Sequence, residues 1–305
     1  MQPKRVSAVI STWNKKDDVA ANVDALLAQT RPPDEIIVVD NCSNDGTAQH
    51  LYEHYPQVRV IEMPHSRYGA CETFNIGFKN ARFEYTMILD DDVVLAPDWI
   101  ELILARFEQE PETTAFISSK VIEPEMPEAY LASPKVNQER YMATFRGCGT
   151  MARSDILEKA GFYDVRFFIY GNERDLAARV LSLGYRILQF PKATLNHSTP
   201  FGMKKGKRSL YYHVRNLWWY LFKHCSLADI CRFFFRAFRN ALGKKGHKGE
   251  ISDAVGTIGA FSEIFGTPGG LWTAIKATAN AFWGLPYCLK QRKVVRAPDF
   301  ELPIQ

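Results

Sequence analysis

Apolar and polar positions alternate with two different periods over the first 110 residues, and this alternation predicts strands separated by helices. Runs of apolar and β-branched residues are typical of buried strands. Between the first two runs, Val19, Val23 and Leu26 recur at helical spacing. Strand–helix alternation of this kind predicts an α/β fold with a mixed, mostly parallel sheet flanked by helices. The predicted strands occupy residues 6–11, 35–39, 58–63 and 85–89.

The pattern changes beyond His197. Before it, helices are predicted near residues 97–108 and 173–184, and a strand at residues 185–190. A stretch with four prolines follows residue 110 and predicts loops. After it, the chain is basic and then rich in aromatic residues. We therefore predict two domains, residues 1–203 and a helical extension of residues 204–305.

Charge is distributed unevenly between these two parts. The formal net charge is only +4, yet residues 200–305 contain 17 Lys/Arg against 6 Asp/Glu, a balance of +11. The rest of the chain contains 21 and 28, a balance of −7. A basic segment favours an anionic partner such as a membrane surface. We expect no nucleic-acid partner, because no nucleic-acid-binding motif is recognisable.

Cysteines and apolar runs predict a cytoplasmic location. The six cysteines include no CxxC pair and suggest no disulfide framework, so reduced thiols are expected. The N-terminus has no signal-peptide pattern. No segment has the roughly 18 consecutive apolar residues expected of a membrane-spanning helix.

Three adjacent aspartates, Asp90-Asp91-Asp92, follow the fourth predicted strand. Ligands bind beyond the carboxyl ends of strands in sheets of this type. Adjacent carboxylates repel one another, and a divalent cation such as Mg²⁺ or Mn²⁺ would relieve that repulsion while sharing its ligands with phosphates. A solvated acidic turn or a helix-capping cluster is the alternative.

A second carboxylate, Asp40, also ends a predicted strand and opens the polar segment 40–47. It could accept a hydrogen bond from a pyrimidine N–H, with Ser, Asn and backbone N–H groups holding ribose or phosphate. The alternative is an ordinary Asx-turn before a helix.

Glu173 and Asp175 lie at a predicted helix start, where acidic residues are favoured by the helix dipole. Either could instead act as a general base on a substrate hydroxyl. His197 follows a strand and could complete a metal site otherwise made of carboxylates. It could equally be a surface or capping residue.

In combination, these segments resemble family 2 glycosyltransferases of the GT-A fold, over most of residues 5–200. The order of the matching segments along the chain makes the resemblance specific. Residues 9–14 resemble the opening strand and nucleotide loop, residues 38–47 the VDN-x-S-x-DGT segment, and Gly69 with residues 75–77 the G…N-x-G segment. Residues 89–92 resemble the DxD motif, and residues 147–151 the acceptor-side glycine segment. Residues 161–164, 171–176 and 184–185 resemble the GGFDE…GEDxDL…GY block.

The resemblance implies a role for each matching residue. Asp92 would bind the metal, helped by Asp90 and His197. Glu173 would be the catalytic base, although this chain has Asn172-Glu173 where the family has Glu-Asp, so Asp175 stays an alternative base. Nucleotide-sugar contacts are expected from Thr12, Asn14, Asp40, Asn41, Asn75, Asp90 and Asp91.

The activity implied is inverting transfer of a sugar from a UDP-, dTDP- or GDP-linked donor to a hydroxyl of a glycan or lipid-linked acceptor, with Mg²⁺ or Mn²⁺. Cell-surface polysaccharide or glycolipid synthesis is the expected context, and residues 124–146 are expected to carry acceptor specificity. One alternative is a sugar-phosphate nucleotidyltransferase, but residues 12–16 lack its glycines. Another is a non-catalytic nucleotide-sugar-binding or scaffold protein, supported only by Asn172.

The basic, aromatic extension supports two hypotheses. Trp, Tyr, Arg and Lys in residues 211–239 suit the headgroup region of an anionic membrane, which would make the protein peripheral at the inner face of the cell membrane. Alternatively, these aromatic residues pack onto the catalytic core or form a homodimer.

Overall fold

The structure is a computed structural model that describes residues 4–202, 205–242 and 263–303. The predicted domain boundary at residue 203 lies outside the described residues, and so do residues 243–262 of the predicted extension.

A mixed sheet of nine strands forms the centre of the described structure, in the order β3-β2-β1-β4-β8-β6-β9-β5, with β7 paired to β9. Strands β1 to β4 are mutually parallel where they pair, and β8 and β5 run antiparallel to their neighbours. The strands are β1 Val6–Thr12, β2 Glu35–Asp40, β3 Val58–Glu62, β4 Tyr85–Asp90, β5 Val93–Leu95, β6 Thr114–Ile122, β7 Arg140–Tyr141, β8 Thr150–Arg153 and β9 Arg186–His197.

Twelve α-helices are described around this sheet, together with one 3₁₀ turn at Val165–Phe167. They are α1 Lys16–Leu27, α2 Thr47–His54, α3 Ala70–Asn80, α4 Trp99–Gln109, α5 Glu128–Leu131, α6 Pro134–Asn137, α7 Ser154–Lys159, α8 Asn172–Ser182, α9 Lys207–His224, α10 Leu227–Leu242, α11 Gly270–Trp283 and α12 Leu285–Lys290.

Both faces of the sheet are covered, which explains why the central strands are apolar at nearly every position. Side chains of α1 and α4 pack on one face, and those of α3, α7 and α8 on the other. Helix α3 approaches β1 closely at Gly77, where a Cβ atom would lie 2.3 Å from Val9 Cγ1. Glycine at this position therefore permits the helix–sheet contact.

The register of the parallel strands brings polar side chains to one edge of the sheet. Thr12 at the end of β1 pairs with Asp40 at the end of β2. Ser11 of β1 pairs with Asp90 at the end of β4. The predicted ligand-binding ends of three strands therefore lie side by side.

Helix α9 packs directly against the sheet-covering helices. Its Trp219, Tyr220 and Phe222 are buried, and Trp219 stacks edge-on to Phe167. The predicted helical character of the extension is confirmed over its described residues. The aromatic residues of this helix that were expected at a membrane surface are largely interior.

A buried ionic network joins α8, α9 and α12. Asp175 is fully buried, and its carboxylate lies 2.6 Å from Lys223 Nζ, 2.9 Å from His224 Nε2 and 2.8 Å from Arg179 Nη2. Lys223 also contacts Asp164 at 2.7 Å. Charges buried in this way require several partners each, so the network holds α8 in one position relative to α9.

Among the described residues, none of the helices combines the length and the apolar character needed to cross a bilayer.

Candidate active site

The three aspartates at the end of β4 diverge into different surroundings. Asp90 is the last residue of β4 and its side chain is 42% exposed, whereas Asp92 is 5% exposed. Asp91 contacts Lys15 Nζ at 3.5 Å. The run is therefore not a solvated acidic turn, because two of its three carboxylates are inside the protein.

Asp90, Asp92 and His197 form a cluster whose ligand atoms all lie within 4.8 Å of one another. Strand β5 creates this cluster: its Val93 pairs with His197 at the end of β9, and Asp92 directly precedes it. His197 Nε2 lies 3.1 Å from Asp92 Oδ1 and 3.9 Å from Asp90 Oδ2. Two carboxylates and one imidazole are suitable ligands for Mn²⁺ or Mg²⁺.

The other nitrogen of His197 orients the ring for such binding. Its Nδ1–H donates to Glu123 Oε1 over 2.8 Å, which directs Nε2 at the two aspartates. A histidine that binds a metal commonly has this second hydrogen bond to a carboxylate. The same acidic partners, Asp92 and Glu123, outweigh burial and raise the pKa of His197 to about 10.

Two residues that the sequence analysis did not single out bind Asp92. Lys15 Nζ lies 2.6 Å from Asp92 Oδ2, and the Thr199 hydroxyl donates to the same oxygen over 2.8 Å. Despite burial, the hydrogen bonds from His197, Lys15 and Thr199 hold the pKa of Asp92 well below its usual range. Although 42% of the Asp90 side chain is exposed, desolvation at the cavity and the neighbouring carboxylates outweigh His197 and raise the pKa of Asp90 to about 7.

Four of the seven predicted nucleotide-contacting residues lie together at the ends of β1 and β2: Thr12, Asn14, Asp40 and Asn41. Asp40 is buried and accepts hydrogen bonds from the hydroxyl and the backbone N–H of Ser43. Asn14, at φ 53°, accepts from the backbone N–H of Asn44, and its own N–H donates to Ser43 Oγ. Asn41 donates to the Tyr68 carbonyl. The two loops therefore form one hydrogen-bonded unit.

Two predicted site residues have their polar atoms engaged elsewhere. Asn75 donates from Nδ2 to the Tyr163 carbonyl over 2.8 Å and accepts from the Tyr163 N–H over 2.9 Å. Asp175 is paired within the buried network and does not line the cavity described next. In this structure both residues hold neighbouring backbone or helices in place.

Glu173 and Asp90 line the same cavity, which has a volume of about 440 Å³. Burial raises the pKa of Glu173, and Asn172 donates to its Oε1 over 2.8 Å. Gly147 lies against it, since a Cβ atom there would be 2.6 Å from Glu173 Oε1. The glycine of the predicted acceptor-side segment thus provides space for the carboxylate.

A left-handed turn before α8 presents Glu173 to this cavity. Phe168 and Tyr170 both have positive φ, at 67° and 64°, which is unfavourable for bulky residues. Asn216 of α9 stabilises the turn, because its amide nitrogen lies 2.7–3.0 Å from the carbonyls of Phe167, Ile169 and Tyr170. Asn216 is a supporting residue that no sequence motif indicated.

The C-terminal end of the described chain completes the cavity. Glu301, Leu302 and Pro303 line it beside Tyr220 of α9. Asp299 anchors this segment through a bidentate ion pair with Arg186, at 2.7 and 2.9 Å. Residues about 130 positions after Glu173 in sequence therefore contribute to the same site.

The sequence profile of glycosyl transferase family 2 matches residues 7–172, more than half of the chain. An uncharacterized glycosyltransferase of Haemophilus influenzae is 31% identical over 106 residues, which is 35% of each chain. A poly-beta-1,6-N-acetyl-D-glucosamine synthase of Staphylococcus epidermidis is 28% identical over 37% of this chain and 28% of that protein. This chain spans about a third or less of the length of these curated relatives.

Solved structures with a similar fold include a mannosyltransferase of Pyrobaculum calidifontis in complex with GDP-Man and Mn²⁺, with a TM-score of 0.56 and 19% identity over 95% of this chain and 73% of that chain. GalNAc-T7 with UDP, GalNAc and Mn²⁺ has a TM-score of 0.57 and 16% identity over 70% of this chain and 48% of that chain. At these identities the likeness concerns the fold.

Proposed function

The chain belongs to glycosyl transferase family 2, and from that membership we propose that it transfers a sugar from a nucleoside-diphosphate donor to an acceptor hydroxyl with inversion at the anomeric carbon. One observation carries the proposal: Asp90 belongs to a cluster of metal-ligand geometry and also lines the cavity that is lined by the half-buried Glu173. A donor held at the cluster would therefore present its sugar to that carboxyl.

The donor's nucleoside is assigned to the unit formed by the 12–14 and 40–44 loops. Asp40 at its centre is a buried acceptor, suited to a base N–H, and Thr12 is adjacent in the sheet register. Asn14 and Asn41 flank it. Relatives of this fold were solved with GDP-Man and with UDP and GalNAc, and these donor classes are the first to test here.

Asp90, Asp92 and His197 would hold a divalent cation, for which their donor set and spacing are suitable. When bound, that cation would neutralise negative charge on the leaving diphosphate. Glu123 keeps the His197 ring oriented, and Thr199 and Lys15 fix the Asp92 carboxylate. Mn²⁺ and Mg²⁺ are both compatible with these ligands.

Glu173 is proposed as the general base. It removes the proton from the acceptor hydroxyl, and the deprotonated oxygen attacks the sugar from the face opposite the leaving diphosphate, so a single displacement inverts the anomeric centre. Asp175 is less suitable because the cationic groups of Arg179 and Lys223 and the imidazole of His224 occupy its carboxylate, and none of its surface is exposed. The Asn172-Glu173 pair, which replaces the family's Glu-Asp, is compatible with this role, since Asn172 donates to Glu173 and Glu173 keeps an acidic side chain at the cavity.

The substitution Glu173→Gln tests this assignment. Glutamine keeps the size of the side chain and cannot accept the proton, so transfer should fall by at least about a hundredfold, while Mn²⁺-dependent binding of UDP or GDP in calorimetry stays within a few-fold of wild type. Glu158→Gln, at an exposed position of α7, is the matched control. Wild-type turnover by Glu173→Gln would exclude the role of Glu173.

The acceptor is proposed to be a glycan or lipid-linked saccharide of a cell-surface polymer. Relatives support this acceptor class. They include the S. epidermidis poly-N-acetylglucosamine synthase, a succinoglycan biosynthesis protein of Rhizobium meliloti (30% identical over 33% of this chain and 29% of that protein) and an O-antigen biosynthesis protein of Myxococcus xanthus (25% identical over 63% of this chain and 17% of that protein). Such an acceptor would be recognised at the cavity wall formed by residues 142–148, which include the end of the predicted specificity loop and the start of the acceptor-side glycine segment.

Peripheral attachment to an anionic membrane is proposed for α11 and α12. The buried face of α11 consists of alanines, whereas its opposite face exposes large apolar side chains. Lys276 and Lys290 lie on the same two helices, within the part of the chain that has an excess of 11 positive charges. The exposed apolar residues are Leu271, Trp272, Ile275, Phe282, Trp283 and Leu289. A patch of this composition is typical of a helix lying in the headgroup region at the inner face of the cell membrane.

A further inference from the structure

A lysine ammonium group lies among three carboxylates, beside the cluster of Asp90, Asp92 and His197. Lys15 Nζ is 2.6 Å from Asp92, 3.5 Å from Asp91 and 3.8 Å from Asp18. We propose that Lys15 is an internal counter-ion that lowers the affinity of the cluster for a divalent cation until a donor binds, and that it then pairs with the donor's diphosphate. This role rests on the proposed function, since it requires a nucleoside-diphosphate ligand.

Lys15 and a divalent cation would compete for Asp92, because both would bind its carboxylate. Its Oδ1 faces His197, and its Oδ2 accepts from both Lys15 and Thr199. A divalent cation held by Asp90, Asp92 and His197 would draw on the same carboxylate as the ammonium group. Two cations on one carboxylate repel each other in a partly buried site, where screening by water is weak. Lys15 should therefore reduce the affinity of the empty site for metal.

The ammonium group of Lys15 is also able to move away from Asp92. It lies just before α1, its side chain is 35% exposed, and its ion pairs are with the three carboxylates named above. A lysine is a compact charge on a flexible stem with no fixed hydrogen-bond geometry. A small rotation of that stem would move the ammonium group without disturbing the helix.

The position of Lys15 indicates its second partner. The loop after β1 contacts the 40–44 loop through Asn14, and it contacts Asp92 through Lys15. In the proposed donor orientation, the nucleoside lies at Asp40 and the sugar at the cavity beyond Asp90. The diphosphate that joins them would then lie beside Asp91 and Asp92, the carboxylates that Lys15 contacts.

Lys15 could otherwise be a static ion pair that only satisfies Asp92. The two roles differ in the coupling between metal and nucleotide. A counter-ion that changes partners makes metal binding depend on nucleotide, and the reciprocal dependence must be equal. A static pair affects stability and leaves that coupling unchanged.

Electron paramagnetic resonance of free Mn²⁺, recorded with and without UDP or GDP, measures this coupling directly. At pH 8, Lys15→Met should bind Mn²⁺ alone at least tenfold more tightly than wild type, and should bind UDP or GDP without metal at least tenfold more weakly in calorimetry. Lys16→Met, which removes the same charge from the neighbouring residue, should match wild type in both measurements. Lys15→Arg, which keeps the charge, should retain the weak affinity for Mn²⁺ alone.

Equal Mn²⁺ affinities for Lys15→Met, Lys16→Met and wild type would overturn the proposal, as would the absence of Mn²⁺ binding in all of them. Mn²⁺ binding seen only in Lys15→Met would support it. If no variant binds any nucleotide, the proposed function fails, while the comparison of Mn²⁺ affinities still tests the counter-ion role. Melting temperatures of the variants identify a folding defect, and the Lys15→Arg comparison then decides the outcome.

Discussion

At the residue scale, His197 and Asp90 hold protons that a bound metal would displace. The pKa of His197 is raised to about 10 by its acidic partners, and that of Asp90 is raised to about 7 by burial and by the adjacent carboxylates. Metal binding requires a neutral imidazole and an ionised carboxylate. Below pH 7 both groups are protonated, and between pH 7 and pH 10 only His197 is.

Metal affinity should therefore rise with pH. Each displaced proton changes the affinity by up to about tenfold per pH unit below the pKa of its group, so Mn²⁺ binding should strengthen more than tenfold between pH 6 and pH 8. Calorimetry in buffers of different ionisation enthalpy would report the released protons. In His197→Ala, binding should be weaker and its increase above pH 7 should disappear. An affinity independent of pH would contradict this cluster as the metal site.

At the element scale, the junction of α8 with α9 positions Glu173, the proposed base, and Asp175. Helix α8 presents Glu173 on one side and buries Asp175 on the other, two residues along. Lys223, His224 and Asn216 of α9 bind Asp175 or the turn before α8. The acidic pair that the sequence offered as alternative bases is thus divided between a position that lines the cavity and a buried position in the ionic network.

The substitution Asp175→Asn should destabilise the protein by about 3–5 kcal/mol, because it leaves buried cationic partners without their counter-charge. The pKa of the Asp175 carboxyl is held well below its usual range, because Arg179 first, and then His224 and Lys223, outweigh the effect of burial. The stabilisation that Asp175 contributes therefore persists at neutral pH and is lost only in strong acid. Denaturant unfolding would measure the loss. Asp155→Asn, at an exposed site in the first turn of α7, should change the free energy of unfolding by less than about 0.5 kcal/mol. Equal stability of the two variants would contradict the role of the network.

At the scale of the whole molecule, the GT-A architecture predicted from the sequence is confirmed, and the described extension is part of the site. The sheet is mixed, mostly parallel and covered by helices on both faces, and it matches solved glycosyltransferases. Helix α9 supports Glu173, and residues 301–303 line its cavity. The outer face of α11 remains apolar and exposed.

Vesicle flotation tests whether that face binds membrane. The protein should float with vesicles containing anionic phosphatidylglycerol and much less with neutral phosphatidylcholine vesicles, because both the apolar face and the positive charge contribute. Trp272→Ser combined with Trp283→Ser should reduce flotation at least tenfold. Trp13→Ser, exposed near the proposed nucleotide site, is the control and should float normally. Loss of a dimer in light scattering without any loss of flotation would identify α11 as a homodimer interface instead.

Local patterns and motif order in the sequence were sufficient to predict much of this protein. Periodicity indicated the strands β1 to β4, and the polar residues at their ends indicated Asp40 and Asp90, because parallel strands align their carboxyl ends. Strand β6 lies in the proline-rich stretch predicted as loop, since a strand buried on both faces has no alternating pattern to distinguish it. The short strand β5 gives an even weaker signal, yet it is what brings His197 to Asp92.

The sequence by itself determined the fold class and the residue types at the strand ends, because these depend on neighbouring positions. Only the tertiary structure decided which polar atoms are available. Asn75 and Asp175 match motif positions, but contacts 88 and 49 residues away engage them. Lys15 looks like an ordinary surface lysine until Asp92, 77 residues later, is placed 2.6 Å from it. Such pairings depend on how strands and helices pack, and packing is a property of the whole chain.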